Sequence, residues 1–267
     1  MRKIDYAIIT AGGNATRFRP YSLTLPKAML PLNGRPVIEY VIDECMEAKI
    51  YKIIIVVKQG NDCIKKHLQA HMFYNKLLCN LYDLENICRG ISIVYEDEKY
   101  CYGNAAPILT IKNFLDKKSF AVLFGDDIIL GNNSMKELLT IYNTTNAKSV
   151  IAASYKGDEE IHNYGNLEFE SDSKKVKRLI QKPKEHKLSN YVVVSRIILD
   201  ASIFEYIDSE INGESDIGVA LDRQAQEHDV RVCIISGIWV CVDSPEKYRD
   251  AINTAYDYMV KELERNE

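Results

Sequence analysis

Hydrophobic and polar positions follow two different periods in the first half of the chain. Four short apolar runs are typical of buried strands: residues 4–10, 52–57, 91–95 and 120–124. Helical patterns cover residues 36–48 and 104–115 between them. Because strands separated by helices are joined by right-handed crossovers, this pattern predicts an α/β fold with a mainly parallel sheet.

The second half departs from this regular alternation. Its candidate strands are shorter: residues 166–170, 191–195, 230–235 and 239–242. Ser244 and Pro245 predict the start of a last helix over residues 246–264. One apolar face of that helix is predicted to consist of Tyr248, Ile252, Ala255 and Met259. A further helical stretch is predicted over residues 65–86. We therefore expect a mixed sheet flanked by helices.

Composition narrows the class of protein. The 267 residues carry a formal net charge of -4, which does not favour nucleic-acid binding. Residues 1–10 do not form a signal peptide, and no apolar run approaches membrane-spanning length, so we expect no membrane contact. The seven cysteines are scattered without C-x-x-C pairs, which favours a reducing, cytoplasmic location over a disulfide framework or a zinc site.

The segment over residues 11–31 holds the most informative chemistry. Gly12 and Gly13 follow the first strand, and Arg17, Arg19 and Lys27 add positive charge nearby. A glycine-rich turn lets backbone N–H groups converge on an anion, so the segment predicts a polyphosphate site. The alternative is a turn with glycine for steric reasons and solvated basic side chains. The spacing matches neither a Walker A loop nor G-x-G-x-x-G, and proline at position 20 predicts an irregular loop.

A second candidate follows the strand at residues 120–124. Gly125, Asp126 and Asp127 come at its carboxyl end, where open α/β sheets bind ligands. Asp126 is therefore a metal candidate, although Gly-Asp-Asp also suits a plain turn. The basic loop favours the metal, because Mg²⁺ is usually held by one or two carboxylates and substrate phosphates.

Together these motifs resemble the sugar-1-phosphate nucleotidyltransferases over nearly the whole chain. The matching positions are Gly12-Gly13-x-x-Thr16-Arg17-x-x-Pro20, Pro26-Lys27-x-Met29-Leu30-Pro31, Gly125-Asp126-Asp127, Tyr164-Gly165 and Lys182-Pro183. The layout is most similar to the bacterial uridylyltransferases of glucose 1-phosphate. The resemblance implies a three-layer, Rossmann-like (GT-A-like) fold and an enzyme that joins a nucleoside triphosphate to a sugar 1-phosphate and releases pyrophosphate.

The resemblance also implies roles for individual residues. Arg17 and Lys27 would be catalytic, and Asp126 would hold Mg²⁺. The nucleotide would be bound by Ala11, Gly12, Gly13, Asn14, Ala15, Thr16 and Gly103. The sugar phosphate would be bound by Asp127, Gly165, Gln181 and Lys182. We expect one domain over residues 1–267, with a nucleotide-binding part of about 1–130, a sugar-phosphate-binding part of about 131–245 and the last helix. A homo-oligomer is also expected.

Two departures from the family pattern lie at residues that the resemblance places on the triphosphate and the sugar. The usual third loop glycine is Ala15, which is tolerated if its φ is negative. The usual glutamate before Lys-Pro is Gln181, which keeps hydrogen-bonding capacity without the charge, so a different sugar is possible.

Two further departures concern the base and the metal. Counting back from Gly103, the glutamine that faces uracil becomes Glu98, whose carboxylate suits an exocyclic amine better, unless the alignment is off by a residue or two. The usual second metal aspartate is Cys241, so Asp243 either replaces it as ligand or caps the last helix.

Three functions remain open from the sequence. The first is an active enzyme that uses UTP and glucose 1-phosphate. The second is the same chemistry with CTP, ATP or dTTP, or with another phosphorylated substrate. The third is a non-catalytic nucleotide or sugar-phosphate binding protein.

Overall fold

The computed structural model describes residues 2–78, 90–100, 102–115, 117–208 and 214–265. Its strands are β1 (Tyr6–Ala11), β2 (Pro31–Leu32), β3 (Arg35–Pro36), β4 (Lys52–Val57), β5 (Ile91–Tyr95), β6 (Phe120–Phe124), β7 (Asp127–Leu130), β8 (Ser149–Tyr155), β9 (Gly165–Phe169), β10 (Val176–Gln181), β11 (Tyr191–Leu199), β12 (Val230–Ile234) and β13 (Ile238–Cys241). Its α-helices are α1 (Val37–Glu47), α2 (Cys63–Leu78), α3 (Ala106–Thr110), α4 (Ser134–Thr144), α5 (Ile217–Glu227) and α6 (Pro245–Arg265).

The predicted strands of the first half are all present, and β4, β5 and β6 have the predicted bounds. Several elements after β6 were not predicted: β7, β8, β10, α4 and α5. Short apolar runs such as those of β7 and β8 do not distinguish a strand from a buried helix segment, and this explains why these two strands were missed. The helix predicted over residues 65–86 is present as α2, and residues 79–86 lie outside the described ranges.

The chain divides into two compact units. The first unit comprises Met1–Tyr6, Asp97–Val122 and Ser134–Ser236, and the second unit comprises Ala7–Glu96, Leu123–Asn133 and Gly237–Glu267. The units therefore interleave along the sequence, and the division into a nucleotide-binding part and a sugar-phosphate-binding part stays a prediction. In the part of the chain that the model describes, no helix combines the length and the apolar character needed to cross a membrane.

In the second unit, β1, β4 and β5 are neighbouring strands, and β4 and β5 pair in parallel from Ile53 opposite Ile91 to Val57 opposite Tyr95. The buried core includes residues of β1, α1 and β4: Ile8, Ile9, Val37, Val41, Cys45, Ile53 and Ile55. β7 and β13 form an antiparallel pair in which Asp127 lies opposite Cys241.

The last helix, α6, also belongs to the second unit and begins as predicted. Its apolar face differs from the predicted one, because Ala251 and Ala255 are buried while Ile252 and Met259 are exposed. The Tyr248 hydroxyl donates a 2.6 Å hydrogen bond to the Pro31 carbonyl. The helix therefore packs through small residues, which a search for large apolar side chains does not detect.

In the first unit, β8 pairs with β12 in parallel and with β11 antiparallel, and β9 pairs antiparallel with β10 and β11. Gln181, at the end of β10, lies opposite Gly165 of β9. The N-cap of α5 is Asp216, whose side chain accepts hydrogen bonds from the N–H groups of Gly218 and Val219. The order of elements thus brings β9, β10 and the start of α5 together.

Candidate active site

The loop after β1 is irregular, as the proline predicted. Three short 3₁₀ turns replace an α-helix: Thr16–Phe18, Tyr21–Leu23 and Lys27–Met29. Ala15 has φ 45° and ψ 45°, in the left-handed region. Ala15 therefore does not adopt the negative φ at which an alanine would be tolerated. A β-carbon in this conformation costs about 1–2 kcal/mol, so the loop is strained at this point.

Lys27 and Asp126 form the central ion pair of the second unit. The Lys27 ammonium contacts Asp126 Oδ2, and the two side chains are 18% and 23% exposed. Burial lowers the pKa of Lys27, but the charge and hydrogen bond of Asp126 and the charge of Asp243 outweigh it, so the pKa is raised. The lysine is therefore a fixed positive charge beside the Asp126 carboxylate.

Asp243 forms an ion pair with Arg17, and its charge also acts on Lys27. Its Oδ2 accepts a hydrogen bond from Arg17 Nη1 at 3.1 Å and lies 3.4 Å from Lys247 Nζ. Asp243 does not cap α6, because Ser244 Oγ accepts the Lys247 backbone N–H at 3.3 Å. Asp243 also lies outside the strand, because β13 ends at Cys241. The Val242 N–H donates to the Asp126 carbonyl at 3.1 Å, which places Asp243 one residue beyond that contact.

Cys241 has the properties of a neutral thiol. Burial, together with the charges of Asp127, Asp243 and Asp126 and a hydrogen bond to Asp127, raises its pKa well above the usual range. A neutral thiol is a poor ligand for hard Mg²⁺. Asp127 itself is 5% exposed within β7. The contact with the sugar phosphate that the resemblance implies for Asp127 stays a prediction.

The carboxylates of Asp126 and Asp243 fit a divalent cation. Asp243 Oδ1 is buried with no hydrogen-bond partner, so this acceptor is available. Within the described ranges, no three His, Cys, Asp or Glu side chains are grouped to hold a metal. Asp126 and Asp243 would therefore act as a two-carboxylate set, and Mg²⁺ sites commonly add substrate phosphate oxygens and water to such a set.

Two charged residues at the mouth of the loop were not predicted. Lys58 directly follows β4, and its ammonium contacts Asn14 Oδ1. Glu96 directly follows β5, and its Oε2 lies 2.8 Å from the position that a β-carbon on Gly12 would take. Burial raises the pKa of Glu96, and Lys58 opposes this in part. Both residues follow the carboxyl ends of parallel strands, a signal that could have identified them.

Glu98 differs from Glu96 in its surroundings. It is exposed and belongs to the first unit, whereas Glu96 and Gly12 both belong to the second. Gly103, also in the first unit, has φ +150°, and a β-carbon there would lie 2.0 Å from the Ser215 carbonyl oxygen. Gly103 is therefore required by packing, and a contact with nucleotide stays a prediction.

The predicted sugar-side residues of the first unit lie together. Gly165 and Gln181 are strand neighbours, and the Lys182 N–H donates to the Tyr164 carbonyl at 3.0 Å. Lys182 is exposed with φ +44°, an uncommon conformation for a lysine. The Gln181 amide donates to Asp216 Oδ1 at 2.9 Å. Asp216 was not predicted, because nothing in the local sequence relates it to Gln181.

The chain belongs to the nucleotidyl transferase family, whose model matches residues 6–257. The family resemblance and the enzyme class predicted from the sequence are thereby confirmed. Enzymes of this family generally use a divalent metal ion and bind a nucleoside triphosphate and a sugar 1-phosphate.

Two relatives are similar to this chain over most of its length. A UTP-glucose-1-phosphate uridylyltransferase of Staphylococcus epidermidis is 31% identical over 244 residues, 86% of this chain and 84% of the relative. A protein with the same name from Pseudomonas aeruginosa is 30% identical over 275 residues, 97% of this chain and 98% of the relative.

Solved structures confirm the predicted fold class. The UDP-glucose pyrophosphorylase complexed with UDP-glucose superimposes with a TM-score of 0.83 at 27% identity, over 96% of this chain and 99% of that one. The UTP-bound enzyme of Acinetobacter baumannii superimposes with a TM-score of 0.78 at 23% identity, over 94% and 93%. The chain has a Rossmann-like α/β fold with a mixed, mainly parallel sheet flanked by helices.

Proposed function

We propose that this protein joins a nucleoside triphosphate to a sugar 1-phosphate and forms a nucleoside diphosphate sugar and pyrophosphate. UTP and glucose 1-phosphate, which the relatives' names specify, are the first substrates to test. The observation that carries the proposal is the cluster of Lys27, Asp126, Arg17 and Asp243 in the unit that also carries the Gly12-Gly13 turn. A single cluster of this kind supplies both positive charge and carboxylates to a triphosphate.

In the proposed reaction, a phosphate oxygen of the sugar 1-phosphate attacks the α-phosphorus. The bond from that phosphorus to the oxygen bridging the β-phosphate breaks, and pyrophosphate leaves. Positioning and charge stabilisation supply most of the rate in such transfers. Lys27 would neutralise charge at the reacting phosphate, and Arg17 would bind the leaving pyrophosphate. The N–H groups of Gly13, Asn14 and Ala15, beside Thr16, would bind the triphosphate.

We propose Mg²⁺ as the divalent ion, held by Asp126 and Asp243. When bound, it would neutralise phosphate charge and orient the triphosphate. Arg17 and Lys27 would then release these carboxylates and contact phosphate oxygens instead. The side chain that contacts the base is proposed to be Glu96, beside the backbone of Ala11 and Gly12. Because a carboxylate there can only accept, CTP and ATP, whose bases carry an exocyclic amine, stay as alternatives. The base of dTTP presents the same hydrogen-bonding groups as uracil, so dTTP stays an alternative beside UTP.

The test is pyrophosphate release by purified protein with Mg²⁺, each nucleoside triphosphate and a panel of sugar 1-phosphates. Release with at least one pair supports the proposal, and the pair with the highest kcat/KM identifies the substrates. Binding of nucleotide without release from any pair would contradict it and favour the non-catalytic alternative. Asp243→Asn, which keeps the side-chain shape but removes the charge, should raise the Mg²⁺ concentration needed for half-maximal activity.

We also propose a homo-oligomer located in the cytoplasm. The exposed apolar side chains of α6, which are Ile252, Tyr256, Met259 and Leu263, support a contact between copies. Among the described residues, no disulfide joins Cys45, Cys63, Cys233 or Cys241, and this supports a reducing location. Sedimentation velocity of the purified protein tests the first proposal, and a single monomeric species would contradict it.

A further inference from the structure

The Gln181 side chain is restrained at the nitrogen end of its amide, and its oxygen end has no hydrogen-bond partner within the part of the chain that the structure describes. Its Nε2 donates to Asp216 Oδ1 at 2.9 Å. The same nitrogen lies 1.8 Å from the position that a β-carbon on Gly218 would take, so it occupies the space that this glycine leaves open. On the opposite side, Gln181 Oε1 lies 3.3 Å from the corresponding position on Gly165. The two ends of the amide therefore face different neighbours: the nitrogen faces Gly218 and the oxygen faces Gly165.

The acceptor that fixes this orientation is itself fixed. Asp216 Oδ1 accepts the Gly218 N–H at 2.6 Å and the Val219 N–H at 3.3 Å as the N-cap of α5. Asp216 Oδ2 accepts from Asn104 Nδ2 at 3.2 Å, and Asn104 Oδ1 accepts the Ile217 N–H at 2.7 Å. A carboxylate with this many donors does not rotate freely, so its position on the Gln181 side is set by the fold.

This arrangement gives a physical reason for a neutral residue at position 181. A glutamate there would place a second carboxylate against Asp216 Oδ1, and like charges at hydrogen-bond distance repel. The amide instead donates to Asp216 and leaves Oε1 as its unshared end. The position therefore offers an acceptor, as a glutamate would, without adding a charge.

We propose that Asp216 is a positioning residue for sugar recognition: it holds the Gln181 amide so that Oε1 accepts a hydrogen bond from a sugar hydroxyl. This inference rests on the proposed function, because it concerns the sugar half of that reaction. Asp216 acts through Gln181 and does not itself touch the substrate. Specificity at this position then favours a sugar that presents a hydroxyl donor there over the deoxy sugar.

The first test separates positioning from general stability. Asp216→Ser keeps a helix N-cap but is too short to reach Gln181. Gly218→Ala keeps Asp216 and improves helix propensity, but its β-carbon displaces the Gln181 nitrogen. In both variants we expect KM for glucose 1-phosphate to rise about fivefold to tenfold, the value of one hydrogen bond, with KM for UTP unchanged within twofold.

A matched control is Asp200→Ser. Asp200 caps the short turn Ala201–Glu205 of the same unit and accepts the Ser202 N–H at 3.0 Å. This variant should leave both KM values unchanged. If Asp216→Ser and Gly218→Ala change both KM values together, or lower only kcat, Asp216 has a structural role alone and the inference is wrong.

A second measurement does not depend on activity. The side-chain amide signals of Gln181, assigned by their loss in Gln181→Glu, should be shifted and slow to exchange in the NMR spectrum of the native protein. In Asp216→Ser they should move to the values of a solvated glutamine. Unshifted signals in the native protein would overturn the inference even if pyrophosphate release is observed. Shifted signals without release from any substrate pair would contradict the proposed function and leave the positioning intact.

Discussion

Replacing Glu96 by glutamine tests how the nucleotide base is selected. Glu96 Oε2 lies 2.8 Å from the β-carbon position of Gly12, at the end of the loop where the base is proposed to lie. An ionised carboxylate can only accept hydrogen bonds, and it meets the C4 carbonyl of uracil with a like charge. Glutamine can donate to that carbonyl and accept from the ring N–H. Glu96→Gln should therefore favour UTP over CTP.

The magnitude follows from the cost of one mispaired polar group. Leaving a partly buried donor or acceptor unsatisfied costs about 1–3 kcal/mol. Since each 1.4 kcal/mol is a factor of ten, the ratio of kcat/KM for UTP to kcat/KM for CTP should rise roughly 5- to 150-fold in the variant. Glu98→Gln is the matched control, because Glu98 is exposed and lies two residues away.

The assay is pyrophosphate release at several pH values with a fixed sugar 1-phosphate. The pKa of Glu96 is raised by burial, so its protonated form, which can donate, becomes more populated as pH falls. The native preference for UTP should therefore increase toward acidic pH, and the variant should lack this dependence. A changed preference in Glu98→Gln with none in Glu96→Gln would refute the reasoning and return the base contact to the residue predicted from the sequence.

Three further changes test other parts of the molecule. Lys27→Ala should lower kcat about 10²- to 10³-fold because a charge at the reacting phosphate is lost, and unchanged turnover with a native circular dichroism spectrum would show that the centre lies elsewhere. Ala15→Gly should stabilise the protein by about 0.5–1 kcal/mol in urea unfolding, since relief of the left-handed conformation outweighs the added chain entropy, and a loss of stability would contradict the strain. Burial raises the pKa of Asp200, but the hydrogen bonds of Ser202 and the charge of Lys148 outweigh it, so the folded pKa is lowered. The stabilisation from Asp200 is therefore present above the pKa of the unfolded state and is lost as pH falls through the pKa of the folded state. Asp200→Asn should reduce the loss of stability at acidic pH, and an unchanged pH dependence of the free energy of unfolding would contradict this prediction.

Local sequence patterns were sufficient for β1, β4, β5 and β6 and for several charged groups near their ends. β4, β5 and β6 follow from uninterrupted apolar runs, and Asp126 follows from its place after β6. These features depend on residues close together in the chain, and the rule that ligands bind at the carboxyl ends of parallel strands connects them. The positions of these strands and of Asp126 were therefore predictable from the sequence.

Contacts between distant residues were not predictable. Arg17 and Asp243 are 226 residues apart, and Gln181 and Asp216 are 35 apart, yet each pair is within hydrogen-bond distance. The division of the chain into interleaved units has the same origin, because it depends on which segments pack together. No local period or motif encodes these pairings.

The sequence by itself determined the fold class, through the alternation of strands and helices, and it marked the loop after β1, Lys27 and Asp126 as candidates, because each belongs to a short segment. Tertiary structure decided which carboxylate faces Gly12, whether Ala15 is strained and what holds Gln181. Glu96 and Glu98 are only two residues apart in the sequence after β5. Only the folded structure shows that Glu96 lies beside Gly12 while Glu98 is exposed. The residues that we propose to select the base and the sugar are therefore positioned by contacts between segments, because these contacts form only when the chain folds.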